Sequence, residues 1–168
     1  MIKINRITIT ILLWVILVIP NSLFAACTGT SPIWTTTPDY ASISTCVSQA
    51  IAGDTINVLS GTATWTSKLV ITKGVTLHGA GIDNTIIVGD IADNGNGAIT
   101  FVPDDNTRTA DIPFRVTGFT IDLNNKDNGS HGILLYNDTA TPVTKVRIDH
   151  NRIINTDGGS GTKRGIYV

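Results

Sequence analysis

Two hydrophobic periodicities divide the chain. Between residues 39 and 52, Ile43, Cys46, Val47, Ala50 and Ile51 fall at i, i+3, i+4, i+7 and i+8 and form one apolar face. Asp39 or Thr37 can serve as N-cap, and Gly53 is the stop signal, so this stretch is expected to be the one helix. Its other face carries Ser44, Thr45, Ser48 and Gln49 and is expected to meet water. After Gly53 the pattern changes to short apolar runs between turn clusters. Strands are expected over 55–58, 68–72, 75–77, 85–88, 98–102, 114–123, 132–136, 145–155 and 165–168, the longer ones with a bend.

These runs repeat. Ala98-Ile99-Thr100-Phe101, Gly132-Ile133-Leu134-Leu135 and Gly165-Ile166-Tyr167-Val168 share one pattern at spacings of 34 and 33. A second block, Arg115 to Ile121, aligns with Arg147 to Ile153 at a spacing of 32. Polar stretches at 124–130, 137–144 and 156–163 separate the blocks, as variable loops separate constant strands in a solenoid. Stacked parallel strands lie about 4.8 Å apart and repeat their chemistry from one level to the next. The inward set is then Val116, Phe119, Ile121, Ile133 and Leu135, followed by Ile148, Asn151, Ile153, Ile166 and Val168. Asn151 in the place of Phe119 is expected to bond backbone groups at a turn. An all-β, right-handed parallel β-helix with an N-terminal capping helix is the architecture expected; a β-sandwich is the weaker alternative.

Composition agrees with strands and turns. Thr, Ile and Val number 25, 24 and 12, about 36% of the 168 residues, which suits pleated strands. Gly, Asn and Asp supply 16, 13 and 13 turn formers. All 13 acidic residues are Asp, so a helical bundle and any chemistry that needs a glutamate are excluded from this stretch.

Residues 1–25 read as a secretory leader. Lys3 and Arg6 form a positive start, Ile7 to Pro20 an apolar core, and Ala25 a small residue at the cleavage edge. Removal leaves ten basic against thirteen acidic residues, a formal charge of −3. That balance lacks the basic stripe required by nucleic acid or an anionic membrane. A secreted or periplasmic monomer is expected, in three parts: the leader, a segment and capping helix over 26–53, and strands over 54–168. Cys27 and Cys46 are the two cysteines. In an exported chain they are expected to pair, closing a 20-residue loop that stabilises by roughly 3 kcal/mol. The competing reading is a lipoprotein signal, in which Cys27 carries lipid instead and anchors the chain to a membrane.

The stretch from Ala50 to Val168 resembles the pectate-lyase-like superfamily of right-handed parallel β-helices. The resemblance rests on Ala50-Ile51-Ala52-Gly53-Asp54-Thr55-Ile56, on Gly61 to Trp65, and on Ile71-Thr72-Lys73-Gly74-Val75-Thr76-Leu77-His78-Gly79-Ala80-Gly81. It implies a helix over the end of the stack and a protein that handles polysaccharide, as a lyase, as a hydrolase, or as a surface protein without catalysis. Val146 to Arg152 is similar to the Asp-His stretch of pectate lyases. Arg147 stands where they carry tryptophan, and Arg152 where some carry a calcium-binding glutamate.

The candidate chemistry follows from these choices. Asp149 and His150 are the candidate acid–base pair, with a strand-edge His bonded to backbone as the alternative. Lyase chemistry on uronic acids calls for cations, and calcium is the cofactor considered. Asp122, Asp149 and Asp157 near strand ends are its candidate ligands, although Asp at a strand end is also ordinary turn chemistry. Asp104-Asp105-Asn106 and Asp90 with Asp93-Asn94 are loop clusters without a recognised calcium spacing. Lys163 and Arg164 are candidates for binding an acidic sugar. Trp34 and Trp65 either stack on sugar rings or pack the first strands. Two Asn-x-Ser/Thr acceptors begin at Asn128 and Asn137. The final strand has no cap after it, so the chain is expected to be the N-terminal part of a longer protein, with any catalytic residues further on.

Overall fold

A hairpin of Cys27–Thr30 (β1) and Ile33–Thr36 (β2) leads into a helix over Tyr40–Gln49 (α1). The computed structural model describes residues 27–91, 97–124, 131–136, 140–156 and 164–168. The leader, Asp93, Asn94, Asp157, Lys163 and both glycosylation acceptors lie outside them. After α1 come Thr55–Val58 (β3), Gly61–Trp65 (β4), Leu69–Ile71 (β5), Thr76–Gly79 (β6), Thr85–Gly89 (β7) and Gly97–Phe101 (β8). A short helix at Asp105–Thr109 (α2) precedes Phe114–Thr117 (β9), Thr120–Asp122 (β10), His131–Leu135 (β11), Val146–Asp149 (β12), Arg152–Ile154 (β13) and Arg164–Tyr167 (β14).

The strands form three sheets. The first runs β1-β2-β3-β6-β9-β12, the second β4-β7-β10-β13 and the third β5-β8-β11-β14. Every pairing among the described strands is parallel except the β1–β2 hairpin. From β3 onward the described strands visit the first, second and third sheets in that order, four times. Such an arrangement is predominantly β and compatible with a β-helix-like solenoid. The register follows the sequence repeat: Arg115 pairs with Arg147, Ile99 with Ile133, and Ile133 with Ile166.

Alternation places one row of each sheet inside. Ile56, Leu77, Val116 and Ile148 line up in the first sheet, Ala63, Ile87, Ile121 and Ile153 in the second, and Leu69, Ile99, Ile133 and Ile166 in the third. Phe101 and Phe114 stack face to face across this core with centroids 3.9 Å apart. Val116, Phe119, Ile121, Ile133 and Leu135 are buried as expected, whereas Ile148, Asn151 and Ile153 are half-buried. Ile166 and Val168 are exposed, because β14 has a described neighbour, β11, on one side alone.

α1 packs against β1 to β5 and so covers the first circuit. Asp39 is its N-cap, accepting from Ser42 N at 2.9 Å. Ile43, Cys46, Val47 and Ala50 join the core. Ile51 does not: the helix stops at Gln49, the chain turns extended at Ala50, and Ile51 faces outward at 60% exposure. Lys73 closes the other end, its Nζ donating to the carbonyls of Val47, Ser48 and Ala50 at 2.6–3.1 Å. Buried Asp54 holds the junction together. It accepts from Ser31 Oγ, Trp34 Nε1 and the Ile51 N–H at 2.8, 2.8 and 3.0 Å.

Cys27 and Cys46 are bridged, which fixes the hairpin to α1 and uses the sulfur that lipidation would need. Among the described residues no helix is long and apolar enough to cross a membrane.

Four further elements differ from expectation. The β1–β2 hairpin and β4 fall where no strand was expected, since Cys27 to Thr36 and Gly61 to Trp65 carry little aliphatic alternation. The Asp104 cluster begins α2 rather than a loop: Asp104 accepts from Thr107 N at 2.8 Å as its N-cap. Trp65 is fully buried, donates its Nε1–H to Pro38 O at 2.9 Å and meets Tyr40 edge-on. It has no face to offer a sugar.

Candidate functional site

The outward face of the first sheet is polar. Alternate positions carry Thr55, Thr76, Arg115 and Arg147 in one row and Asn57, His78, Thr117 and Asp149 in the next. These rows run across the strands, with neighbouring residues about 4.8 Å apart. Two like charges, Arg115 and Arg147, therefore sit side by side on adjacent strands. Such a pair repels unless an anion is shared between them.

Asp149 is that anion. Arg115 holds it in a two-pronged bond, Nε to Oδ1 at 2.8 Å and Nη2 to Oδ2 at 2.7 Å. Arg147 reaches Oδ2 more loosely, with its Nη2 at 3.1 Å. His150 Nδ1 lies 2.8 Å from the same oxygen. The bonds from Arg115 hold the Asp149 carboxyl far below the usual carboxylate range; burial opposes this, and the His150 bond and the charges of Arg115 and Arg147 add to it. Arg115 is raised in turn, first by its bonds to Asp149. The Asp149 side chain is 16% exposed beneath Arg147 at 64% and His150 at 77%, so the charge that meets solvent is that of the Arg147 guanidinium.

Backbone geometry fixes His150 in this cluster. It follows β12 at the corner between the first and second sheets, with φ of +53°. One circuit earlier the same corner is Gly118, with φ of +81°. A side chain in the left-handed region is uncommon, although His is among the residues that tolerate it better.

The other candidates fall elsewhere. Asp122 ends β10 in the second sheet, apart from Asp149 in the first, and its Oδ1 accepts from Asn124 N and Asn155 Nδ2 at 2.8 and 2.7 Å. That is turn chemistry. Arg164 begins β14 in the third sheet, with its guanidinium 4.3 Å above the Tyr167 ring. Tyr167 also packs on His131, whose imidazole pKa is lowered by burial and by the Arg164 charge. Arg152 pairs with Asp83 at 3.0 Å. Trp34 is half-buried and committed to Asp54.

Calcium does not fit Asp149. A calcium site gathers several oxygen donors, whereas both oxygens of Asp149 face guanidinium or imidazole nitrogens. Among the described residues no group of three His, Cys or Asp side chains is arranged to hold a metal ion.

Arg115, Arg147 and His78 are not among the site candidates read from the sequence. The spacing of 32 that aligns Arg115 with Arg147 was the available signal, because equal positions in the repeat become neighbours in the sheet. In comparisons with protein families, characterised proteins and solved structures, nothing matches the chain.

Proposed function

We propose that the chain is a secreted, carbohydrate-active right-handed parallel β-helix of the pectate-lyase-like kind, and that it engages polysaccharide on the outward face of its first sheet. The observation that carries this reading is the paired row of Asn57, His78, Arg115, Arg147 and Asp149 on the outside of a sheet whose inside is aliphatic. A flat polar face backed by a rigid core presents hydrogen-bond donors at a fixed repeat, which suits a polymer better than a small molecule.

Within that reading, the state of Asp149 favours binding over catalysis at this position. A carboxyl held far below its ordinary range is a poor proton donor and a weak base near neutrality. Incubation of the exported protein with polygalacturonate or alginate tests both forms. Unsaturated or shortened products mark an enzyme, and retention without products marks a binding module. The absence of both retention and products for acidic and neutral polysaccharides alike overturns the proposal.

A further inference from the structure

We propose that Arg147, backed by Arg115, supplies at this face the positive charge for which calcium was considered, so that a carboxylate-bearing polysaccharide is held without a divalent cation. The inference rests on the polysaccharide reading above and goes beyond it in assigning the charge.

Binding an acidic sugar requires positive charge at a defined place. In a calcium site, Asp149 would supply part of the ligand shell and the ion would face the sugar. Here Asp149 is bonded to cationic side chains, and its ligand capacity is spent within the protein. Two guanidinium groups and an imidazole surround one carboxylate, leaving a surplus of positive charge on a solvent-facing sheet. Arg115 is fixed by two short bonds and mainly positions Asp149. Arg147 reaches Asp149 through one nitrogen, at 3.1 Å, and is the more exposed of the two. Its planar fork can leave Asp149 for a carboxylate of the polymer, since guanidinium binds carboxylates in a two-pronged fashion. Asp149 then acts as an internal stand-in for the ligand, keeping Arg115 and Arg147 from repelling each other while the face is empty.

This exchange predicts opposite results from those of a calcium site. Retention of the full exported chain in gels containing polygalacturonate, or calorimetry with the same polymer, measures it at low salt. Binding is expected with a chelator present and is expected to weaken as sodium chloride is raised. Arg147→Gln, a surface change, is expected to weaken it about fivefold, the scale of one exposed ion pair. Asp149→Asn removes the internal competitor and is expected to tighten binding. A requirement for added calcium overturns the inference while leaving the polysaccharide reading in place. So does a folded Asp149→Asn protein that no longer binds, or an Arg147→Gln protein that binds as well as the parent. Absence of binding to any polysaccharide in every ionic condition removes the reading and the inference together.

Discussion

Asn151 occupies the position one circuit above Phe119 and bonds the backbone of Phe119 itself. Its Oδ1 accepts from Phe119 N at 3.0 Å, and its Nδ2 donates to Val116 O at 2.9 Å. Phe119 lies at the corner between the first and second sheets, past the end of β9, and one carboxamide ties its N–H to the carbonyl of Val116 within β9. Asn151→Ala is expected to lower unfolding free energy by about 2 kcal/mol, measured in urea, because it removes both bonds and takes the side-chain acceptor from the Phe119 N–H. Asn151→Asp is the sharper probe. Its carboxylate can accept from Phe119 but repels the Val116 carbonyl, so its deficit at neutral pH is expected to shrink in acid, where the protonated form can donate.

Asp54 and Lys73 both fasten the C-terminal end of the helix to the sheets. Asp54→Ala leaves Ser31, Trp34 and the Ile51 N–H without their acceptor and is expected to cost about 2–3 kcal/mol. Lys73→Met keeps the aliphatic stem but removes the charge from three helix-end carbonyls, and about 1 kcal/mol is expected. Equal and negligible losses from both variants in thermal unfolding would contradict the arrangement.

Acid should unfold the protein through its aspartates. Asp39, Asp54 and Asp149 all titrate below their ordinary range in the folded chain. Burial works to raise Asp39 and Asp54, but bonds from Thr37 and Ser42 to the first, and from Trp34, Ile51 and Ser31 to the second, outweigh it. An unfolded Asp titrates near about 3.9. Because the folded values are lower, the stabilisation is complete above that pH and is lost as pH falls toward the folded values. Stability is therefore expected to be level from pH 5 upward on this account and to decline below about 4. Asp54→Asn is expected to flatten the decline in denaturant titrations across that range.

Gly118 has no room for a side chain. It lies in the left-handed region, and a Cβ there would run into the Gly79 carbonyl. Gly118→Ala is expected to destabilise by about 2 kcal/mol or more, from backbone conformation and contact together. Full stability in this variant would mean that the corner can open.

Reduction should loosen the hairpin. The Cys27–Cys46 bridge closes a loop for which chain entropy gives roughly 3 kcal/mol. A lower melting temperature in reductant, and an intact mass two hydrogen atoms below the reduced form, are the expected readings.

Much of the strand layout was legible because repetition is visible at fixed spacing. The pairs Arg115 with Arg147 and Ile133 with Ile166 followed from intervals of 32 and 33, since a stacked parallel strand reproduces its neighbour's chemistry. β4 was missed because Thr62, Ala63 and Thr64 give no aliphatic alternation; its register comes from Ile86, Ile87 and Val88 on β7. α2 was hidden in a run of polar residues whose turn and capping roles look alike in sequence. The site was legible only in part. Asp149 and His150 stand next to each other in the chain, but the charge that defines their setting comes from Arg115 on another strand, 34 residues away. An ion pair of that kind belongs to the register, so it emerges only when the strands are laid side by side.

The Lys73 bonds have a consequence for the order of folding. The carbonyls that end the helix wait for an ammonium that arrives only after the chain has passed through β3, β4 and β5. A nascent segment stopping before that residue can start the helical turns at Asp39 but cannot fasten their far end. The lid is thus latched by the body it covers, and it should gain protection from hydrogen exchange late, together with the first complete circuit rather than ahead of it.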